Sequence, residues 1–225
     1  MKTSFRHLFP ASAAALFSLI VLTARVDAQG FTGLLGSFYN NTPAPANYVS
    51  LSALNAHLHT LTPAVVTPST TGGKTNFDFS NNGYFDSAPF NNASSTQAAY
   101  GFSSNANYEV EWNGYINVTS IGVATFASTS DDGSMVFVDG NTVVNNNSFQ
   151  GPTLQTGTYN FTTTGLHQIT LAYYQGAGGE GVLFQWHQAG ATLHTLTNAE
   201  VMVPEPASAM LLLGGGVLLA LRRRR

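Results

Sequence analysis

Tyr108-Glu109-Val110-Glu111-Trp112-Asn113-Gly114-Tyr115 alternates large apolar with polar side chains, so Tyr108, Val110 and Trp112 share one face of an extended strand. Glu109, Glu111 and Asn113 fall on the other face, which the alternation predicts to be turned to water. The same period of two returns at Ile169, Leu171 and Tyr173, and again at Val182, Phe184 and Trp186. Asn113-Gly114, Asp132-Gly133, Asp139-Gly140 and Thr164-Gly165 punctuate these runs as turn signals. Many short strands with no intervening helix predict an all-β chain, a sandwich or a barrel. Trp112, Tyr173, Phe184 and Trp186 are expected in its core.

Upstream, Gly33 to Tyr39 and Asn76 to Phe79 read as strands. Leu51, Leu54, Leu58 and Leu61 recur at helical spacing between Ser50 and Pro63, which predicts one short helix. Residues 62–75 and 80–105 read as loops. The domain is expected to span 30–190 and to be followed by a linker over 191–202.

Charge is concentrated at the ends. Lys2, Arg6 and Arg25 lie near the start and Arg222 to Arg225 close the chain. Between Gln29 and Val203 one lysine, Lys74, stands against nine acids: Asp78, Asp86, Glu109, Glu111, Asp131, Asp132, Asp139, Glu180 and Glu200. A balance of −8 repels phosphate backbones and anionic membrane surfaces, so nucleic acid is not an expected partner; cations and neutral molecules are. There is no cysteine, so burial and not disulfides must hold the fold.

Residues 1–28 have the parts of a secretory signal: basic Lys2 and Arg6, an apolar run from Ala11 to Leu22, and Val26-Asp27-Ala28 ahead of a cleavage point between Ala28 and Gln29. At the far end, Val203-Pro204-Glu205-Pro206 precedes an apolar run from Ala207 to Leu221 and then the four arginines. Fifteen helical residues reach about 22 Å, short of a ~30 Å hydrocarbon core, and the arginines place the C-terminus in the cytoplasm. Over 203–225 the triplet, short helix and basic cluster closely resemble the PEP-CTERM sorting signal; an ordinary short tail anchor is the alternative. The resemblance implies a transient inner-membrane span in a Gram-negative, exopolysaccharide-making bacterium. It also implies removal of the tail by an exosortase at Val203, Pro204, Glu205 and Pro206, leaving the protein at the cell surface or in the matrix.

A second resemblance runs in order through the middle of the chain. Gly33-Leu34-Leu35-Gly36-Ser37-Phe38-Tyr39, Glu111-Trp112-Asn113-Gly114-Tyr115, Phe126 to Gly133, Val136-Phe137-Val138-Asp139-Gly140, and Gly165-Leu166-His167 through Tyr173-Tyr174 to Phe184-Gln185-Trp186 are similar to the domain family named after anthrax protective antigen. That resemblance implies a two-sheet antiparallel β-sandwich. Several members are calcium-dependent sugar-binding adhesin domains or glycosidase-attached modules.

Asp131-Asp132 reads, on its own, as part of a hairpin turn. The resemblance instead matches the pair to the family's calcium ligands, two aspartates joined by a cis peptide so that both carboxylates serve one ion. It implies further oxygens from the Gln175 side chain and from carbonyls near Ala177 and Gly179, with the sugar held at Asp131 and Asp132. Calcium seeks six to eight oxygens, which an acid pair beside a glycine-rich loop can supply in part. The expected function is therefore a calcium-dependent carbohydrate-binding or adhesion domain with a glycan or exopolysaccharide partner. A ligand-free structural matrix protein is the alternative.

Other patterns carry less. Gly176-Ala177-Gly178-Gly179-Glu180-Gly181 spells a dinucleotide fingerprint but is followed by the strand-like Val182-Leu183-Phe184 and not by the helix such a site needs. Glu109 and Glu111 lie on one strand, whereas glycosidases set their carboxylates across a cleft. His57 and His59 diverge on a helix. Asp139 reads as structural. No catalytic residue is assigned and no enzyme is expected.

Overall fold

The computed structural model describes residues 30–40, 51–58, 60–71, 74–80, 107–176 and 178–204. The secretory segment with Ala28 and Gln29, His59, Ala177, and the tail from Glu205 and Pro206 onward lie outside the described residues. No described helix is long and apolar enough to cross a membrane.

Among the described residues, thirteen strands and one helix follow in the order β1 (Phe31–Thr32), β2 (Leu35–Asn40), α1 (Leu51–Leu58), β3 (Val65–Pro68), β4 (Asp78–Phe79), β5 (Tyr108–Val118), β6 (Gly122–Asp131), β7 (Gly133–Val138), β8 (Asn141–Asn146), β9 (Thr153–Phe161), β10 (Gly165–Gln175), β11 (Gly181–His187), β12 (His194–Thr195) and β13 (Val201–Val203). They form two antiparallel sheets. The larger runs β1-β13-β5-β10-β7-β8, with β2 on β5 and β3 on β2; the smaller runs β12-β11-β6-β9, with β4 on β11. The fold is the all-β, two-sheet sandwich.

The alternation in the sequence sets the core. Tyr108, Val110 and Trp112 of β5, Ile169, Leu171 and Tyr173 of β10, and Val182, Phe184 and Trp186 of β11 meet in one buried cluster between the sheets. Trp112 stacks on Phe79 at 4.9 Å and takes Phe38, Phe77 and Phe184 edge-on at 6.1 Å each. Such offset and edge-to-face pairs add to what area burial alone supplies.

Four expectations are corrected. Glu109 and Glu111 do not face water but are buried. The reason is α1, which lays Leu54 and Leu58 on the outer face of the large sheet against Tyr39, Met135, Phe137 and Ala172. From that helix His57 sets Nε2 3.1 Å from Glu109 Oε2. Asn113-Gly114 is not a turn but the middle of β5; a Cβ on Gly114 would lie 2.7 Å from both the Met202 carbonyl and Leu34, so glycine there permits close packing of backbone. Residues 62–75, expected as loop, contain β3, paired with β2 from Leu35↔Pro68 to Phe38↔Val65.

The fourth concerns 191–202, which is folded rather than a linker. β12 pairs with β11, and β13 pairs with both β1 and β5. Leu196 and Val201 are buried apolar anchors. Glu200 accepts from Trp186 Nε1 at 2.9 Å and from Thr197 N at 2.8 Å, and lies 2.8 Å from His194 Nε2. The domain thus runs on to Val203, at the first residue of the sorting triplet's stretch.

The free edges of the sheets, β8 and β9, close on each other at Gly157, where a Cβ would run into the Val143 carbonyl. Gly157→Ala is expected to destabilise the domain by about 1–3 kcal/mol in chemical denaturation, as overpacking against backbone does. Gly151→Ala, where nothing stands within 4 Å, is the control that should leave stability unchanged.

Candidate functional site

Asp139-Gly140 makes the hairpin its sequence predicts, with φ of 48° and 79° between β7 and β8. Its carboxylate accepts from Gln168 N at 3.0 Å and Tyr159 Oη at 3.1 Å, which makes Asp139 structural. Asp131-Asp132 behaves differently. It is no hairpin: β6 belongs to the small sheet and β7 to the large one, and the chain crosses between sheets at this pair. The peptide bond between the two aspartates is cis.

Small polar side chains line the crossing. Ser130 Oγ donates to the Asp132 carbonyl at 2.7 Å, Ser134 joins Ser130 at 2.7 Å, and Asn146 Nδ2 donates to Ser130 Oγ at 3.2 Å. All are buried, so their partners offset the cost of removing them from water.

The two carboxylates themselves differ. Asp131 and Asp132 are 8% and 5% exposed. Asp132 is held by backbone: Oδ1 accepts from Gln150 N at 2.9 Å, and Oδ2 from Gly176 N at 2.7 Å. No described group donates to the Asp131 carboxylate. Burial, then the charge of Asp132, lifts its pKa from 3.8 to about 6.

Behind the pair lies a network that the sequence did not disclose. Tyr173 Oη stands 2.6 Å from both the Asp131 carbonyl and Gln175 Oε1, and accepts from Gly181 N at 2.9 Å. Glu180, 2% exposed, accepts from Tyr108 Oη at 2.9 Å, while its Oε1 is buried without a described partner. Burial above all, and the Asp131 charge, lift Glu180 to about 7 although the Tyr108 bond pulls the other way. The fingerprint-like 176–181 run therefore supplies a loop and a buried acid ahead of strand β11, not a helix N-terminus.

Of the residues expected at the site, Asp131 and Asp132 come together, and Gly179 is linked to them through Gln175 and Tyr173. Gln175 is fully buried and committed at both ends, since Nε2 donates to the Gly179 carbonyl at 2.8 Å. Its position is that of a brace, tying Gly179 to the strand whose next residue, Gly176, donates to Asp132. Ala177 lies outside the described residues. Sequence reasoning missed Glu180, Gln150 and Phe149. Only Phe149, a lone aromatic in the polar run Asn145 to Gly151, carried any signal.

Two antiparallel sheets, with a partly satisfied acid pair where the chain crosses between them, define a β-sandwich module with a candidate site at that crossing. Residues 30–196 match the PA14 domain, and the chain belongs to that family. The protective-antigen resemblance is thereby placed under this name. Residues 203–225 match the PEP-CTERM protein-sorting motif, a mark of export and surface sorting. No curated protein sequence matches the chain. Among solved structures, the PA14 sugar-binding domain from an RTX adhesin is 20% identical, with 77% of this chain and 99% of that one covered at a TM-score of 0.58. The PA14 domain of the MpAFP antifreeze protein is 18% identical over 76% and 90%, also at 0.58. The epithelial adhesin 6 A domain of Candida glabrata, solved with Galβ1-3GlcNAc, is 12% identical over 77% and 88%, at 0.51. At these identities the likeness is one of fold.

Proposed function

We propose that the protein is an exported, calcium-dependent carbohydrate-binding or adhesion module, displayed outside a Gram-negative cell after an exosortase removes its tail. The observation that carries the reading is the Asp131 carboxylate, on a residue only 8% exposed, beside a second carboxylate and with no described N–H aimed at it. A buried anion so placed is costly unless a cation meets it. Asp131 and Asp132 fit a hard, oxygen-seeking ion, and carbonyls of the 176–179 loop would complete its oxygen shell. Among the described residues no three His, Cys, Asp or Glu side chains gather to hold a metal, so main-chain oxygens are needed. When bound, calcium supplies positions that a vicinal sugar diol can fill.

The chain's own residues prepare that site. Gln150 N and Gly176 N orient Asp132, Tyr173 fixes the Asp131 main chain, and Gln175 holds the loop through Gly179. The adhesin neighbours, one described as sugar-binding and one solved with a glycan, support a glycan partner. Binding is supported because the site offers acceptors that suit a cation and because the adhesin neighbours are described by the sugars they bind.

The test is a glycan array probed with residues 29–203, with millimolar calcium and with chelator, alongside intact mass spectrometry of the exported protein. Calcium-dependent spots and loss of both ends, near Gln29 and near Pro204 to Pro206, are expected. Calcium-independent silence on the array would return the protein to the ligand-free matrix class. Surface protein still carrying Arg222 to Arg225 would sink the sorting claim.

A further inference from the structure

Phe149 is 60% exposed, an unusual setting for a phenyl ring, and it stands beside the acid pair. The neighbouring Gln150 N is the group that holds Asp132 Oδ1. Gly176 ties the two together from the other loop. At the point where a Cβ on Gly176 would stand, Phe149 Cε1 is 2.6 Å away and Asp132 Oδ2 is 3.0 Å away. The ring edge and the carboxylate are therefore neighbours across a glycine that leaves room for both. The ring is propped, not loose: Tyr174 meets it edge to face at 5.2 Å with an interplanar angle of 88°. Tyr174 is itself a buried β10 residue, so the prop belongs to the sheet.

We infer that Phe149 is the stacking platform of the carbohydrate site, taking the C–H face of a pyranose whose vicinal hydroxyls are turned toward Asp131 and Asp132. This rests on the proposed carbohydrate-binding function and adds to it a specificity-determining residue from the β8–β9 loop. The chemistry is that of a ring with two surfaces. A pyranose carries hydroxyls at its rim and C–H bonds across its faces, and an exposed aromatic beside a polar clamp recognises both together. An acyclic polyol offers the same diols without a face. The platform therefore selects closed sugar rings over open-chain polyols.

The experiment is calorimetric titration of the 29–203 protein in millimolar calcium with the methyl glycosides of glucose, galactose, mannose and fucose, and with mannitol as the open-chain probe. Calcium alone is titrated in parallel. Covering about 50 Å² of apolar surface is worth close to tenfold in affinity. Phe149→Ala should therefore weaken the tightest glycoside about tenfold, leave mannitol and calcium titrations unchanged, and be rescued by Phe149→Trp. Unchanged glycoside affinity in Phe149→Ala overturns the platform while leaving the sugar site standing. Equal loss of calcium binding overturns it too, because the ring would then serve the acid pair itself. A shift in sedimentation behaviour without a change in glycoside affinity assigns the ring to protein contact and likewise overturns it. Wild-type protein that binds calcium but no glycoside removes the carbohydrate reading and the platform together.

Discussion

Asp131→Asn is expected to abolish the thermal stabilisation that calcium gives the wild-type domain. A ligand that binds only the folded state at a hundred times its dissociation constant stabilises by about 2.7 kcal/mol, or about 5–10 °C for a domain of this size. Scanning calorimetry of both proteins with calcium and with chelator measures the difference. Asp131 is the sharper choice because nothing described donates to its carboxylate, so an amide there breaks no hydrogen bond. At Asp132 the same change sets an amide against one of two backbone N–H groups, and should cost the metal-free fold about 1 kcal/mol as well.

The metal-free protein should also show a sloping pH profile. Asp131 at about 6 and Glu180 at about 7 titrate above their ordinary values of 3.8 and 4.5. Between about pH 4 and 7 the native state thus holds protons that the unfolded chain has released. Stability without metal must then fall as pH rises through that window. Calcium favours the ionised forms, so its stabilisation should grow over the same window. A flat metal-free profile, or a calcium effect that survives Asp131→Asn, would refute the site.

Trp112→Ala is the largest structural effect expected. The side chain is 0% exposed and, among the described residues, meets the rings of Phe38, Phe77, Phe79 and Phe184, drawn from both sheets. Truncating such a residue costs about 3–5 kcal/mol, a large part of a domain's usual 5–15 kcal/mol. With no disulfide to limit the unfolded chain, the melting temperature should drop by about 8–15 °C, and Trp112→Phe should recover part of it. An unchanged melting temperature would mean that β5 presents its other face to the core.

The same strand shows what the sequence could and could not disclose. Its period of two fixed Tyr108, Val110 and Trp112 as core because that face meets the opposite sheet. It misplaced Glu109 and Glu111 because α1 comes from fifty residues upstream to cover the second face, and periodicity is blind to distant cover. Asn113-Gly114 misled in a related way: the dipeptide suits a hairpin, but here glycine serves the close approach of β13. At the site, Asp131 and Asp132 were legible through the ordered motifs of the family resemblance. Glu180 and Gln150 were not, since their roles arise from loops that converge only in the folded chain. The supposed linker hid its strands because β12 and β13 are two and three residues long, too short for any period to register.

Those short strands have a mechanical meaning. Val203 is bridged to Phe31 and followed at once by Pro204, so the folded sheet and the sorting motif are separated by no slack. Tension entering at this end, while a surface glycan holds the loops around Asp131, would first meet β13. That strand is fastened to β5 by the Val201↔Ile116 and Met202↔Tyr115 pairs and to β1 by two more, with Asn117 N donating to Glu200 O and Gly33 N to Val201 O behind them. The eleven-residue ladder between β5 and β10 lies further in. Under load, the terminal strand would yield first, peeling away as a short extensible leash before the longer ladders of the sandwich open.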